Sequence, residues 1–139
     1  MTAREYLEQY QNALWEERRL RRHILRLRDR LAIHGIDSSR EKIQVTKRND
    51  GQAALVAALV DLEKEQAAKR RECLAIMEEV TAAIESLDDQ RLRTILWMRY
   101  VEGAPWRDVS KRTGYSYRYA FRLHTLALLE IAKTRPDLT

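Results

Sequence analysis

Apolar residues recur along the first part of the chain at alternating steps of three and four. Ala3, Tyr6, Tyr10, Ala13, Glu17, Leu20, Ile24, Leu27 and Leu31 form a heptad seam with one polar member, Glu17. Thr2 with Glu5 three residues later has the form of a capping box, so a helix is expected to begin at about residue 2. Gly35 suits the left-handed position after a helix end and is expected to stop it at about residue 34. At 1.5 Å per residue such a helix is roughly 48 Å long, more than a compact domain of this size needs.

Residues 35–51 read as a polar connection, with Asp50 as the cap of a second helix over about 52–86. There Leu55, Leu59, Leu62, Gln66, Lys69, Cys73, Ile76, Val80, Ala83 and Leu87 make a second seam. A stripe beside it, Val56, Val60, Ala67, Leu74, Met77 and Ile84, predicts that this helix buries a broader face than the first. Two seams of nearly equal length predict an antiparallel coiled-coil hairpin, or pairing between two chains.

From Leu87 the pattern shortens. Asp88 reads as the cap of a helix with Leu92, Ile95, Leu96 and Arg99 down one face, ended by Gly103. Pro105 suits a helix's first turn, and Trp106, Val109, Ser110 and Thr113 share the inward face of a short helix. Gly114 supplies a turn and Ser116 a cap for the last helix. On that helix Ala120, Leu123, His124, Ala127 and Ile131 fall on one side, and Arg118, Phe121, Arg122 and Thr125 on the other. The fold class expected is all-α: a coiled-coil helical hairpin over 1–86, then a helix-turn-helix module over 87–139.

Charge sharpens the second half of this picture. The 139 residues carry a net +5, yet residues 1–86 hold 16 basic and 15 acidic side chains, against ten and three in 91–135. A basic helix-turn-helix suits double-stranded DNA, with the first turns of the last helix in the major groove. Tyr117, Arg118, Tyr119 and Arg122 are the candidates for base contacts, and Arg107, Lys111, Arg112 and Ser116 for phosphate contacts. Arg18, Arg19, Arg21, Arg22, Arg26, Arg28 and Arg30 crowd the first helix. They flank its seam rather than precede it, and with Glu16, Glu17 and Asp29 among them they read as a solvated coiled-coil face.

Other chemistry is not indicated. The one cysteine, Cys73, excludes an intramolecular disulfide, and no run approaches the roughly 20 apolar residues of a membrane span. His23, His34 and His124 lack the spacing of a zinc site, and His124 reads as a core residue. Asp88 and Asp89 are explained by capping. Neither a phosphate-cradling glycine loop nor a nucleophile elbow is present, so the expectation is a soluble, cytoplasmic non-enzyme without cofactor or metal.

Arg99-Tyr100-Val101-Glu102-Gly103, Trp106, Val109, Gly114-Tyr115-Ser116 and Arg122-Leu123-His124 resemble region 4 of sigma-70-type factors. They are still more similar to small phage late-gene transcription regulators that join a long helical part to such a region, and Asp61-Leu62-Glu63-Lys64-Glu65 adds to that resemblance. Pro105 and Ser110 depart from sigma region 4, which usually has Ser or Thr and Ala there. The resemblance implies a sequence-specific DNA-binding transcription regulator of phage or prophage origin, with RNA polymerase as a second partner. A homodimer is expected through the coiled coil. With no recognisable promoter-opening region, a complete sigma factor is not expected. The rival readings are a small-terminase-like DNA-packaging protein and an RNA polymerase-binding interaction protein.

Overall fold

A computed structural model describes the backbone of residues 1–37 and 45–138 and the side chains of 1–32 and 51–138. The described residues are all-α, without a strand. The helices are α1 (Ala3–Asp37), α2 (Val45–Glu85), α3 (Gln90–Leu96), α4 (Trp106–Thr113) and α5 (Tyr117–Thr134). A π-helical turn, Trp97–Val101, continues α3. Among the described residues no helix is long and apolar enough to cross a membrane.

The capping box at the start of α1 forms: Thr2 N–H donates to Glu5 Oε2 and Glu5 N–H to Thr2 Oγ1, both at 3.2 Å. The expected ends of the two long helices are corrected. α1 runs past Gly35 to Asp37, and α2 begins at Val45, so the backbone of Asp50 lies inside a helix rather than at its cap. Once a helix is nucleated each further residue adds a hydrogen bond, and a single glycine costs only about 1 kcal/mol against that. The middle of the expected connection, 38–44, lies outside the described residues.

The chain forms two compact units, Met1–Leu14 with Glu72–Thr139, and Trp15–Arg71. The division expected between 86 and 87 is not where they part. In the first unit Ala3, Tyr6 and Leu7 of α1 share one apolar core with Val80, Ala83 and Ile84 of α2. That core continues through Leu92, Ile95, Leu96, Val109, Leu123 and Ile131. Burying each such aliphatic side chain stabilises by about 1.5–3 kcal/mol, so the first turns of α1 belong with the C-terminal helices energetically.

In the second unit Leu20, Ile24 and Leu27 are buried with the seam's polar member, Glu17, which is 3% exposed. Its Oε1 accepts from Arg21 Nη2 at 2.7 Å and from Gln66 Nε2 at 3.1 Å, and Arg70 Nη2 stands 3.8 Å away. Arg28 donates to Glu63 at 2.7 Å. The broad buried face expected of α2 is only partly realised. Ile84 is buried and Met77 half-buried, but Val56, Val60, Ala67 and Leu74 are exposed. α1 brings one seam, and one seam covers one face.

Burial pushes the Glu17 carboxyl up, but hydrogen bonds from Gln66 and Arg21, with the charges of Arg21 and Arg70, outweigh it and hold it below the usual value. A carboxyl depressed by folding stabilises fully above its unfolded pKa, and that contribution is lost as pH falls through the folded one. Glu17→Ala is therefore expected to lose about 1–3 kcal/mol at pH 7. Urea unfolding should find a smaller gap to wild type near pH 3, and equal gaps at both pH values would contradict this account.

Candidate nucleic-acid interface

The platform beneath the candidate surface is α3 with its π turn. The N-cap of α3 is Asp89, whose Oδ1 accepts from Arg91 N–H at 2.9 Å, in place of the expected Asp88. The Arg91 guanidinium also bonds both Asp89 oxygens, and these bonds hold the carboxyl below its ordinary range. At the other end, Gln11 Nε2 donates to the carbonyls of Tyr100 and Val101 at 3.2 and 2.8 Å. These carbonyls end a helix and have no further turn to bond them, so a side chain from α1 does so instead. Gly103 follows at φ +71°, and a Cβ there would stand 2.9 Å from Gln11 Oε1.

The turn between α4 and α5 is tied from several sides. Gly114 takes the left-handed conformation at φ +76°. Ser110 Oγ donates to Tyr115 O at 2.5 Å, and Tyr115 N–H donates to Thr113 Oγ1 at 3.2 Å. Ser116 caps α5 by accepting from Tyr119 N–H at 3.2 Å. The inward face expected of α5 is the buried one: Ala120, Leu123, His124, Ala127 and Ile131. Arg118, Phe121, Arg122 and Thr125 are exposed on the other side.

Aromatic packing joins the helices beneath that face. Trp106 of α4 lies 4.4 Å from the Phe121 ring and 5.0 Å, edge-on, from His124. The Arg99 guanidinium stands over the outer part of this cluster, 5.0 Å from the Trp106 ring. His124 Nε2 and Tyr100 Oη are 2.6 Å apart. Burial first, and then the charges of Arg4 and Arg99, push the imidazole down to about 4, so it is neutral near pH 7.

The eight interface residues expected from the sequence separate into two groups. Arg118, Arg122, Arg107, Lys111 and Tyr117 are exposed, and among the described residues their side chains make no hydrogen bond or ion pair. Ser116, Arg118, Tyr119 and Arg122 line a concavity of about 440 Å³. Tyr119 is held from below: its hydroxyl accepts from Arg91 Nη1 at 2.7 Å and its ring meets Tyr115 edge-on. Arg112 is paired with Glu102, and the Ser116 hydroxyl is engaged as a cap. Arg91, Arg99 and Gln11 were not singled out as supports. Arg91 and Gln11 find partners 28 and 89–90 residues away, and no local pattern announces a side chain that arrives from another helix, while Arg99 donates to the nearby Ala104 carbonyl at 3.0 Å.

No family model, curated protein or solved structure matches the chain. Among the described residues no group of His, Cys, Asp and Glu is arranged to hold a metal ion.

Two stability tests follow from this geometry. Gly114 has open space where a Cβ would stand, so Gly114→Ala is expected to cost about 1–2 kcal/mol through backbone strain alone, read by thermal unfolding. For His124 the folded pKa lies below the unfolded value of 6.5, so folding stability is complete above 6.5 and falls as pH drops toward about 4. Each pH unit within that window removes up to about 1.4 kcal/mol. His124→Gln, which keeps a partner for Tyr100, should flatten the decline between pH 7 and 4.5 in urea titrations. An unchanged decline would show that another group carries it.

Proposed function

We propose that the protein is a sequence-specific DNA-binding transcription regulator of phage or prophage origin, reading double-stranded DNA through α4, its turn and α5 as a helix-turn-helix. The observation that carries this reading is the pair Arg118 and Arg122. Both are exposed and, among the described residues, make no hydrogen bond or ion pair, on the first turns of a helix whose start is fixed by Gly114 and Ser116. Guanidinium groups so held can pair with guanine edges in the major groove. Arg107 and Lys111 on α4 suit phosphate, with Tyr117 beside the base-reading pair. Arg112 has to exchange Glu102 for phosphate to take part.

The long helices are read as an antiparallel hairpin. The hydrogen bond that Glu17 accepts from Gln66, its ion pair with Arg70, and the bond from Arg28 to Glu63 support that order, because the α2 partner's number falls as the α1 residue's rises. The uncovered Val56, Val60 and Leu74 support pairing of two copies through α2, which would present two readers to paired half-sites. RNA polymerase is the second partner that the sigma-like residues suggest, in the cytoplasm of a bacterial host.

Arg118→Ala with Arg122→Ala is expected to weaken binding to the best site at least roughly tenfold per arginine and to relax preference there. Lys111→Ala should weaken all sequences alike. Selection from a random duplex library followed by titration at fixed salt measures both. A double variant that binds the selected site as tightly as wild type removes α5 as the reading helix.

A further inference from the structure

Seven arginines crowd residues 18–30 of α1, and their surroundings sort them into two sets. Arg19 donates to Glu16 at 2.9 Å, Arg21 to the buried Glu17 at 2.7 Å and Arg28 to Glu63 of α2 at 2.7 Å. Arg18, Arg22, Arg26 and Arg30 are exposed, and among the described residues none has a hydrogen bond or an ion pair. Asp29, the one acid within this stretch, forms no ion pair with them.

The four free arginines stand four residues apart and form an i, i+4 ridge on the helix surface. Successive members rise by about 6 Å along the axis, and the ridge spans about 18 Å. Like charges at this spacing repel one another and weaken a helix. Among the described residues no ion pair offsets that repulsion, although Arg19, Arg21 and Arg28 on the same helix all have acidic partners.

We infer that this ridge is a second, sequence-independent DNA contact, in which four guanidinium groups grip backbone phosphates. The inference rests on the DNA-binding reading of α5 for the identity of the polyanion, and on the α1 geometry for everything else. A duplex carries about one charge per 1.7 Å of its axis, so an inclined ridge with a guanidinium about every 6 Å can meet phosphate at each step. Guanidinium pairs bidentately with phosphate oxygens, and such contacts position a protein without reading sequence.

The test uses the full chain with Arg18→Gln, Arg22→Gln, Arg26→Gln and Arg30→Gln together. Glutamine keeps helix propensity and no partner among the described residues is lost, so circular dichroism should match wild type. Affinity for a random-sequence duplex is then measured across a salt series. Each phosphate contact contributes about 0.9 to the slope of log K against log salt, so the variant's slope should be shallower by about 3.6. Over a fourfold rise in salt, wild type then loses roughly a hundredfold more affinity than the variant. Lysine at all four positions should retain most of the slope.

An unchanged slope in the glutamine variant overturns the inference, as does a lysine variant as shallow as the glutamine one. Ridge-dependent binding of polyglutamate with no effect on the duplex slope also overturns it, in favour of an acidic protein partner. Failure of the α5 reading is seen separately. If Arg118→Ala with Arg122→Ala leaves sequence preference intact, that reading falls, while the ridge is still measured by slope on random duplex. Wild type that binds no duplex at low salt removes both.

Discussion

The C-terminal helices depend on a small polar contact inside an apolar core, the 2.6 Å bond between His124 and Tyr100. Tyr100 comes from the π turn after α3, His124 from the middle of α5, and Trp106 of α4 closes on the imidazole edge-on. A buried imidazole is tolerated because it is neutral and partnered. Burial pushes its pKa down to about 4 and the hydroxyl supplies a hydrogen-bond partner. Because that contact faces inward, the opposite side of α5 faces outward. The exposure of Arg118 and Arg122 is the other half of the same constraint.

Rigidity at the start of α5 comes from short-range chemistry. Gly114, Ser110, Thr113 and Ser116 each remove one freedom from a three-residue turn, by a left-handed backbone or by a hydrogen bond. Such preorganisation lets a helix present two arginines without further ordering cost at its backbone. The end of the π turn is held differently, by Gln11 from the first turns of α1. That contact adds to the apolar core that Ala3, Tyr6 and Leu7 share with the C-terminal helices, in the compact unit that holds Met1–Leu14.

The unit formed by Trp15–Arg71 follows another rule. Its seam contains a carboxylate, and Glu17 stays charged because Arg21, Gln66 and Arg70 converge on it. A polar layer of this kind favours one register over its neighbours, since a slip leaves the carboxylate buried without partners. Among the described residues the same unit leaves apolar side chains and four arginines uncovered, two surfaces of opposite character.

Much of this was legible in the sequence because periodicity is a local property. The seam from Ala3 to Leu31, the buried face of α5, the Thr2–Glu5 capping box, Gly114 and the Ser116 cap all follow from spacing and residue chemistry within a few turns. The same reasoning separated Arg118 and Arg122 from the core. It misplaced helix ends at Gly35 and Asp50, because propagation of a long helix outweighs a single breaker or cap. Only the tertiary structure decided that α2's second stripe stays uncovered, that Arg112 and Tyr119 are engaged, that Gln11 caps a distant turn, and which arginines of α1 find acids. Those outcomes depend on which side chains meet across helices, and a one-dimensional pattern specifies the face a residue occupies without specifying its partner.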